Sequence, residues 1–124
     1  MITLTFPFRL ISKDNEKIRN RQGRVFLSKK FKDFERLVQA TAKQQYKGKP
    51  LTEDIACTLT VGFTNKVHCD AFNCPKGVMD ALQGILYDND RQIKCGTVTV
   101  EEGTTQDFFQ VHVLNYHDTE TRND

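Results

Sequence analysis

Four stretches of this chain alternate apolar and polar residues with a period of two, and this pattern constrains its fold more than any other feature. Residues 2–6 read Ile-Thr-Leu-Thr-Phe, residues 55–64 alternate Ile, Cys, Leu, Val and Phe with smaller partners, and residues 94–101 and 108–116 repeat the alternation. A strand sends successive side chains to opposite faces, so such runs read as strands with one buried face. Arg24-Val25-Phe26-Leu27 adds a short fifth strand.

Between these runs the apolar period becomes helical. Phe31, Phe34, Leu37, Val38 and Thr41 recur at that spacing behind Ser28, a capping residue, and Lys47-Gly48-Lys49-Pro50 halts the segment, which predicts a helix over 29–46. Asn73 and Pro75 mark the start of a second helix running to residue 86, with Val78, Leu82 and Ile85 inward and Lys76, Asp80 and Gln83 on a polar face. Gly84, inside that span, is expected to allow close packing. Residues 9–24 are polar and basic, with turn formers at Asp14-Asn15 and Gln22-Gly23, and read as a loop. Glu102-Gly103-Thr104-Thr105 predicts a terminal hairpin, and the polar residues 118–124 read as a loose tail. The order β-β-α-β-α-β-β implies an α+β (mixed α/β) chain: one domain over 1–124, with a mixed sheet of about five strands flanked by two main helices.

Composition excludes several classes. No basic leader precedes an apolar run and nowhere do eighteen apolar residues stand together, so neither secretion nor membrane spanning is expected, and a cytoplasmic location follows. Cys57, Cys69, Cys74 and Cys95 then read as reduced thiols, and the Cys69 to Cys74 spacing, wider than a zinc knuckle and without a second pair, does not favour structural zinc. His112 and His117 fall on or after the last strand, and no Ser-His-Asp or Cys-His nucleophile set is present.

The charges are divided along the chain. Residues 1–49 hold thirteen Lys and Arg against four Asp and Glu, whereas residues 50–124 hold five against twelve. A basic region can follow a phosphate backbone by releasing counterions, and an acidic cluster can hold a divalent metal that hydrolyses it. Together they suggest a nuclease. Arg19, Arg21, Arg24, Lys29 and Lys30 crowd a loop and a helix start and are the candidates for DNA contacts, while Lys32, Arg36 and Lys43 read as a solvated helix face.

The acidic residues bracket the second helix. Asp70 precedes it, and Tyr87-Asp88-Asn89-Asp90-Arg91-Gln92-Ile93 follows it as an acidic turn. Magnesium takes a few carboxylate oxygens and completes its shell with water and substrate phosphate, so two or three Asp residues suffice. A lysine one turn away could add a fixed cation.

The run Asp70-x-x-Asn73-x-x-Lys76-x-x-x-Asp80-Ala81-Leu82, followed by Asn89-Asp90-x-Gln92-Ile93, resembles the signature of the RusA family of Holliday-junction resolvases. Phe26-Leu27-Ser28 before a helix resembles that family's N-terminal half, and the length agrees. The resemblance implies an Mg²⁺-dependent, structure-specific endodeoxyribonuclease of DNA recombination and repair, with Mn²⁺ as a possible substitute. It also implies a homodimer that resolves four-way DNA by paired symmetric nicks in a bacterial or phage-infected cell. Carried onto this chain, it makes Asp70 and Asp90 metal ligands, Lys76 the catalytic cation, and Asn73 and Asp80 supporting residues. Where the family pattern has the second Asp of D-x-D-N, this chain has Phe72, and where it has the first Asp of the later pair, Asn89. Phe cannot ligate a hard cation, so either His68 or Asp88 completes the site, or the chain is a catalytically impaired relative that binds branched DNA. Phe72 itself reads as a core residue, a dimer contact or an apolar wedge between bases.

Overall fold

In the computed structural model, which describes the backbone of residues 2–121 and the side chains of 2–118, the alternating runs are strands and the one between the two main helices is central. The elements are β1 (Ile2–Phe6), β2 (Lys17–Arg19), β3 (Val25–Leu27), α1 (Lys29–Gln45), β4 (Ile55–Phe63), α2 (Cys74–Leu82), β5 (Ile93–Glu102), β6 (Phe108–Asn115) and α3 (Tyr116–Thr121), with short 3-10 turns at Asp14–Glu16 and Asp90–Gln92. Four strands form one mixed sheet in the order β1-β6-β4-β5, where β4 and β5 are parallel and the other neighbours antiparallel. β2 and β3 form a separate antiparallel ribbon. The class is α+β, as the sequence implies.

Alternation decides which face of the sheet the helices cover. Cys57, Leu59, Val61 and Phe63 of β4 share the core with Leu4, Phe6, Phe109, Val111 and Val113, and against them pack Phe31, Phe34, Val38 and Ala42 of α1 and Val78, Ala81 and Leu82 of α2. Each such Leu or Phe contributes ~1.5–3 kcal/mol when fully buried. The rings of Phe6 and Phe109 stack at 4.5 Å, and Phe8 and Phe34 meet Phe109 at 5.4 and 5.9 Å, which seats α1 on β1 and β6. Residues in the intervening registers, including Thr3, Thr5, Thr58, Thr60, Gln110 and His112, are exposed or half-buried on the other face. There His112 Nδ1 meets Thr3 Oγ1 at 2.7 Å.

Several expectations are corrected. The last two strands are not a hairpin: β4 lies between them. Because β4 is buried along nearly its whole length, it needs a neighbour on each edge, and the return through α2 lays β5 parallel on one of them. Residues 103–107 then cross the end of β4 to its other edge, fixed by Thr104 N–H donating to Phe63 O (3.2 Å) and Thr64 N–H donating to Asp107 Oδ1 (2.9 Å). Residues 9–24 are not all loop, since Ile18 pairs with Phe26 and Arg19 with Val25 in the ribbon. Leu37 is 47% exposed, and Ala42 completes the buried stripe of α1 in its place. The expected loose tail over 118–124 begins as part of α3, and residues 122–124 lie outside the described residues.

Helix α2 ends at Leu82, earlier than residue 86, because Gly84 adopts φ +86° and its N–H donates to Tyr87 O at 2.7 Å. No atom crowds Gly84, so its backbone conformation and not close packing is its role. The close-packed glycine is Gly77, where a Cβ would lie 2.7 Å from Cζ of the buried Phe31.

Candidate active site

The N-terminal turn of α2 is shaped by Asp70. Its Oδ1 accepts the Asn73 N–H at 3.1 Å, and its carbonyl accepts from Asn73 and Cys74 N–H at 3.1 and 3.2 Å. Asn73 itself makes no side-chain cap. One Asp70 oxygen is therefore spent on the fold, and the carboxylate is otherwise exposed.

At the other end of α2, the turn carrying Asp90 is held by a reciprocal cap. Asn89 Oδ1 accepts Arg91 N–H at 2.9 Å, and Gln92 Oε1 accepts Asn89 N–H at 2.8 Å. The buried Gln92 amide then donates to Leu51 O (2.8 Å) and Glu53 O (2.9 Å), pinning the turn to the segment before β4. Asp90 makes no ion pair or side-chain hydrogen bond among the described residues, and neither does Asp88.

A cleft of about 500 Å³ gathers Lys13, Asp14, Lys17, Pro75, Lys76, Met79, Asp80 and Asp90. Its charges interleave. Lys13 Nζ bonds Asp80 Oδ2 at 2.8 Å, while Asp14 takes Lys76 Nζ at 2.7 Å and Lys17 Nζ at 3.1 Å. The hydrogen bond from Lys76, then that from Lys17, holds the Asp14 carboxyl below its ordinary pKa, and Asp80 raises that of Lys13. Lys76 thus pairs with Asp14, not with Asp80 one helical turn away. Nothing in the sequence signals that residues 13–17 fold back onto α2.

Of the residues singled out by the sequence, Asp90, Lys76 and Asp80 line this cleft, whereas Asp70, Asn73, His68 and Asp88 do not. His68 has both ring nitrogens engaged: Nδ1 with Cys69 O at 2.7 Å and Nε2 with Glu102 Oε2 at 2.5 Å. Those two partners raise its pKa, and its ring stacks on Phe63 at 4.3 Å. Phe72 is 89% exposed, so it is not a core residue. All four cysteines are free thiols, with Cys69 and Cys74 Sγ atoms 3.1 Å apart; the Cys74 thiol lowers the pKa of Cys69 to about 7.

Among the described residues no three His, Cys, Asp or Glu side chains are grouped to hold a metal ion. Asp70 and Asp90 each keep free carboxylate oxygens, the donor type of a hard cation that takes its remaining ligands from water and phosphate, and of the two only Asp90 lines the cleft.

The five candidate DNA contacts lie elsewhere. Arg19 is on β2, Arg21 and Arg24 flank the tip of the ribbon, and Lys29 and Lys30 open α1. All are exposed, and none has an ion-pair partner among the described residues. Two cations at a helix N-terminus oppose the helix dipole, so they are not there for the stability of α1. No helix among the described residues is long and apolar enough to cross a membrane.

No curated protein matches the chain closely. The family model described as endodeoxyribonuclease RusA matches residues 7–108, a span that runs from the end of β1 into β6 and takes in the ribbon, both main helices and the whole cleft. The chain therefore belongs to the RusA endodeoxyribonuclease family.

Proposed function

We propose that the protein is a divalent-metal-dependent endonuclease that cuts four-way DNA, with Asp70 and Asp90 as metal ligands and Lys76 as the cation beside the scissile phosphate. The observation that carries this reading is the cleft itself, which brings Asp90 from the turn before β5 together with Lys76 and Asp80 of α2. A bound cation, Mg²⁺ or Mn²⁺, would neutralise charge developing on the phosphate. The chain's own residues do the positioning. Asp70 keeps one oxygen outward because the other is fixed by Asn73, and Gln92 holds the turn that presents Asp90.

Lys76 is held in reserve by Asp14. Exposed ion pairs of this kind hold weakly, so an arriving phosphate can take Lys76 while Lys17 continues to compensate Asp14. Lys13 keeps Asp80 neutralised in the same way, which makes Asp80 a support for the cleft and not a third ligand. Asp88 is the exposed carboxylate within reach of the same turn and is the better candidate than His68 to complete the metal shell, since both nitrogens of His68 are taken.

Arg19, Arg21, Arg24, Lys29 and Lys30 would follow the DNA backbone, and a homodimer would supply the two clefts that paired, symmetric nicks require. Replacing one phosphate-contacting arginine by Ala should lower the slope of log K against log salt by ~0.9.

A second reading is favoured by one observation: Phe72 stands exposed where the family pattern has a carboxylate, leaving the donor set short. On that reading the protein binds branched DNA without cutting it. Labelled four-way junctions incubated with and without Mg²⁺ or Mn²⁺, beside Asp90→Asn, separate the two. Metal-dependent cleavage lost in the variant supports the nuclease; a shifted but uncut junction supports the binder.

A further inference from the structure

We propose that a second cleft, between residues 9–16 and the chain leading from β4 to Asp70, receives one unstacked nucleobase of the bound DNA. The inference rests on the reading of the protein as DNA-binding, but not on its cutting DNA. The cleft measures about 480 Å³, ample for a single heterocycle, and Leu10, Ile11, Phe63 and Val67 give it largely apolar walls.

Set into this apolar lining is Ser12, only 4% exposed, whose Oγ is the one buried side-chain oxygen or nitrogen among the described residues with no hydrogen-bond partner. An orphaned buried hydroxyl destabilises the fold, and a ligand with a polar edge can recover that loss. A nucleobase offers that combination: flat apolar faces and an edge of donors and acceptors.

The charges around the cleft argue against a bare phosphate as the occupant. Arg9, which lines it, is already engaged by Asp107 Oδ1 at 3.2 Å and by Val67 O at 2.5 Å, and its guanidinium lies 4.9 Å over the Phe63 ring. His68 is tied to Glu102 and stacked on Phe63, which makes it a fixed flat wall and not a mobile cation. Of the charged side chains on the lining, Glu16 accepts the Ser28 hydroxyl at 3.0 Å, and Lys30 alone has no hydrogen-bond or ion-pair partner among the described residues, enough for the phosphate of the nucleotide whose base enters.

The location suits a strand that also reaches the carboxylates. Ser12 precedes Lys13 and Asp14 of the first cleft, and His68 and Cys69 precede Asp70. Bases at a branch point are interrupted in their stacking, so extrusion there costs least.

The test places 2-aminopurine, one position at a time, around the branch of a four-way junction and in a single strand, and follows its fluorescence on binding without divalent metal. The expected result is a several-fold rise at one position, abolished by Val67→Trp, which blocks the cleft from a residue 82% exposed and leaves the core untouched. Ser12→Ala should leave the thermal midpoint unchanged or higher, because an orphan is removed, while weakening binding ~3- to 10-fold. Junction bound and cut with no fluorescence rise at any position overturns the pocket and leaves the nuclease reading standing. A rise on DNA that is bound but never cut, even with metal, does the reverse. A full rise in Val67→Trp, or a lower midpoint with unchanged binding in Ser12→Ala, also overturns the pocket, and failure to bind either probe overturns both.

Discussion

Gln92→Ala isolates the brace beneath Asp90. The wild-type side chain makes three hydrogen bonds, two donated to Leu51 O and Glu53 O and one accepted from Asn89 N–H, all at 2.8–2.9 Å. At ~1 kcal/mol net for each, their loss costs about 3 kcal/mol. Residues 51–53 are half-buried or exposed, so water can reach the freed carbonyls and the larger penalty for sealed orphans does not apply. Against a typical domain stability of ~5–15 kcal/mol the variant stays folded. With a urea slope of ~1–3 kcal/mol per molar, the midpoint should fall by roughly 1–3 M, followed by far-ultraviolet circular dichroism because the chain has no Trp. Gln92→Glu sharpens the test, since it keeps an acceptor for Asn89 but sets a carboxylate against two carbonyls. That repulsion raises the folded-state pKa of the new acid, so its destabilisation is present at neutral pH and relieved as pH falls through that value. A Gln92→Ala midpoint within 0.3 M of wild type, taken as roughly the resolution of such curves, would refute the brace.

Gly77→Ala brings a Cβ to 2.7 Å from the Phe31 ring, which is buried and cannot yield, so α1 and α2 must separate; a loss of ~1–3 kcal/mol is expected despite the better helix propensity of Ala, read as a lower thermal midpoint. Phe72→Asp should leave stability within ~0.5 kcal/mol, because Phe72 is exposed, while lowering the Mg²⁺ concentration for half-maximal junction cleavage by roughly tenfold. Equal, strong cleavage by both proteins would mean that another ligand already fills the gap. The Cys69 carbonyl and then Glu102 raise the His68 pKa, so the stabilisation they give is fully present below the ordinary value of 6.5 and is lost as pH rises through the folded-state value. Urea midpoints at pH 6 and pH 9 should therefore differ less in His68→Gln than in wild type, and an unchanged difference would remove His68 from the pH response.

Where periodicity and local chemistry set the structure, the sequence was readable. Ser28 caps α1 through Phe31 N–H at 3.1 Å, the helix ends within one residue of its expected stop, and the four alternating runs are the four strands of the main sheet. Pairing order was not readable, because an edge strand and a central one can alternate identically: the period of two in β4 reports the face that α1 and α2 cover and not which strands lie at its edges. In the site, Asp90 and Lys76 could be found because the motif is local. Lys13 and Asp14 could not, since their partners on α2 lie some sixty residues on, and Lys17 joins the cleft through Asp14. Gln92 stood inside the motif without a role, because its partners at Leu51 and Glu53 are placed by the approach to β4.

The charge balance of the cleft ties the two halves of the proposed function together. Three lysines and three aspartates line it, so before any ligand arrives it is close to neutral and attracts neither a polyanion nor a cation strongly. On the proposed function, the uncompensated arginines of the ribbon and the lysines opening α1 would then supply the initial pull on DNA. A divalent cation at Asp90 would turn the cleft positive and favour a phosphate; a phosphate drawing Lys76 from Asp14 would leave the cleft more negative and favour the cation. Each ligand must tighten the other by the same factor, because the coupling free energy is shared. Ca²⁺ should therefore strengthen junction binding by wild type, and the gain should vanish in Asp90→Asn. Equal junction affinity with and without Ca²⁺ would place the cation outside this cleft.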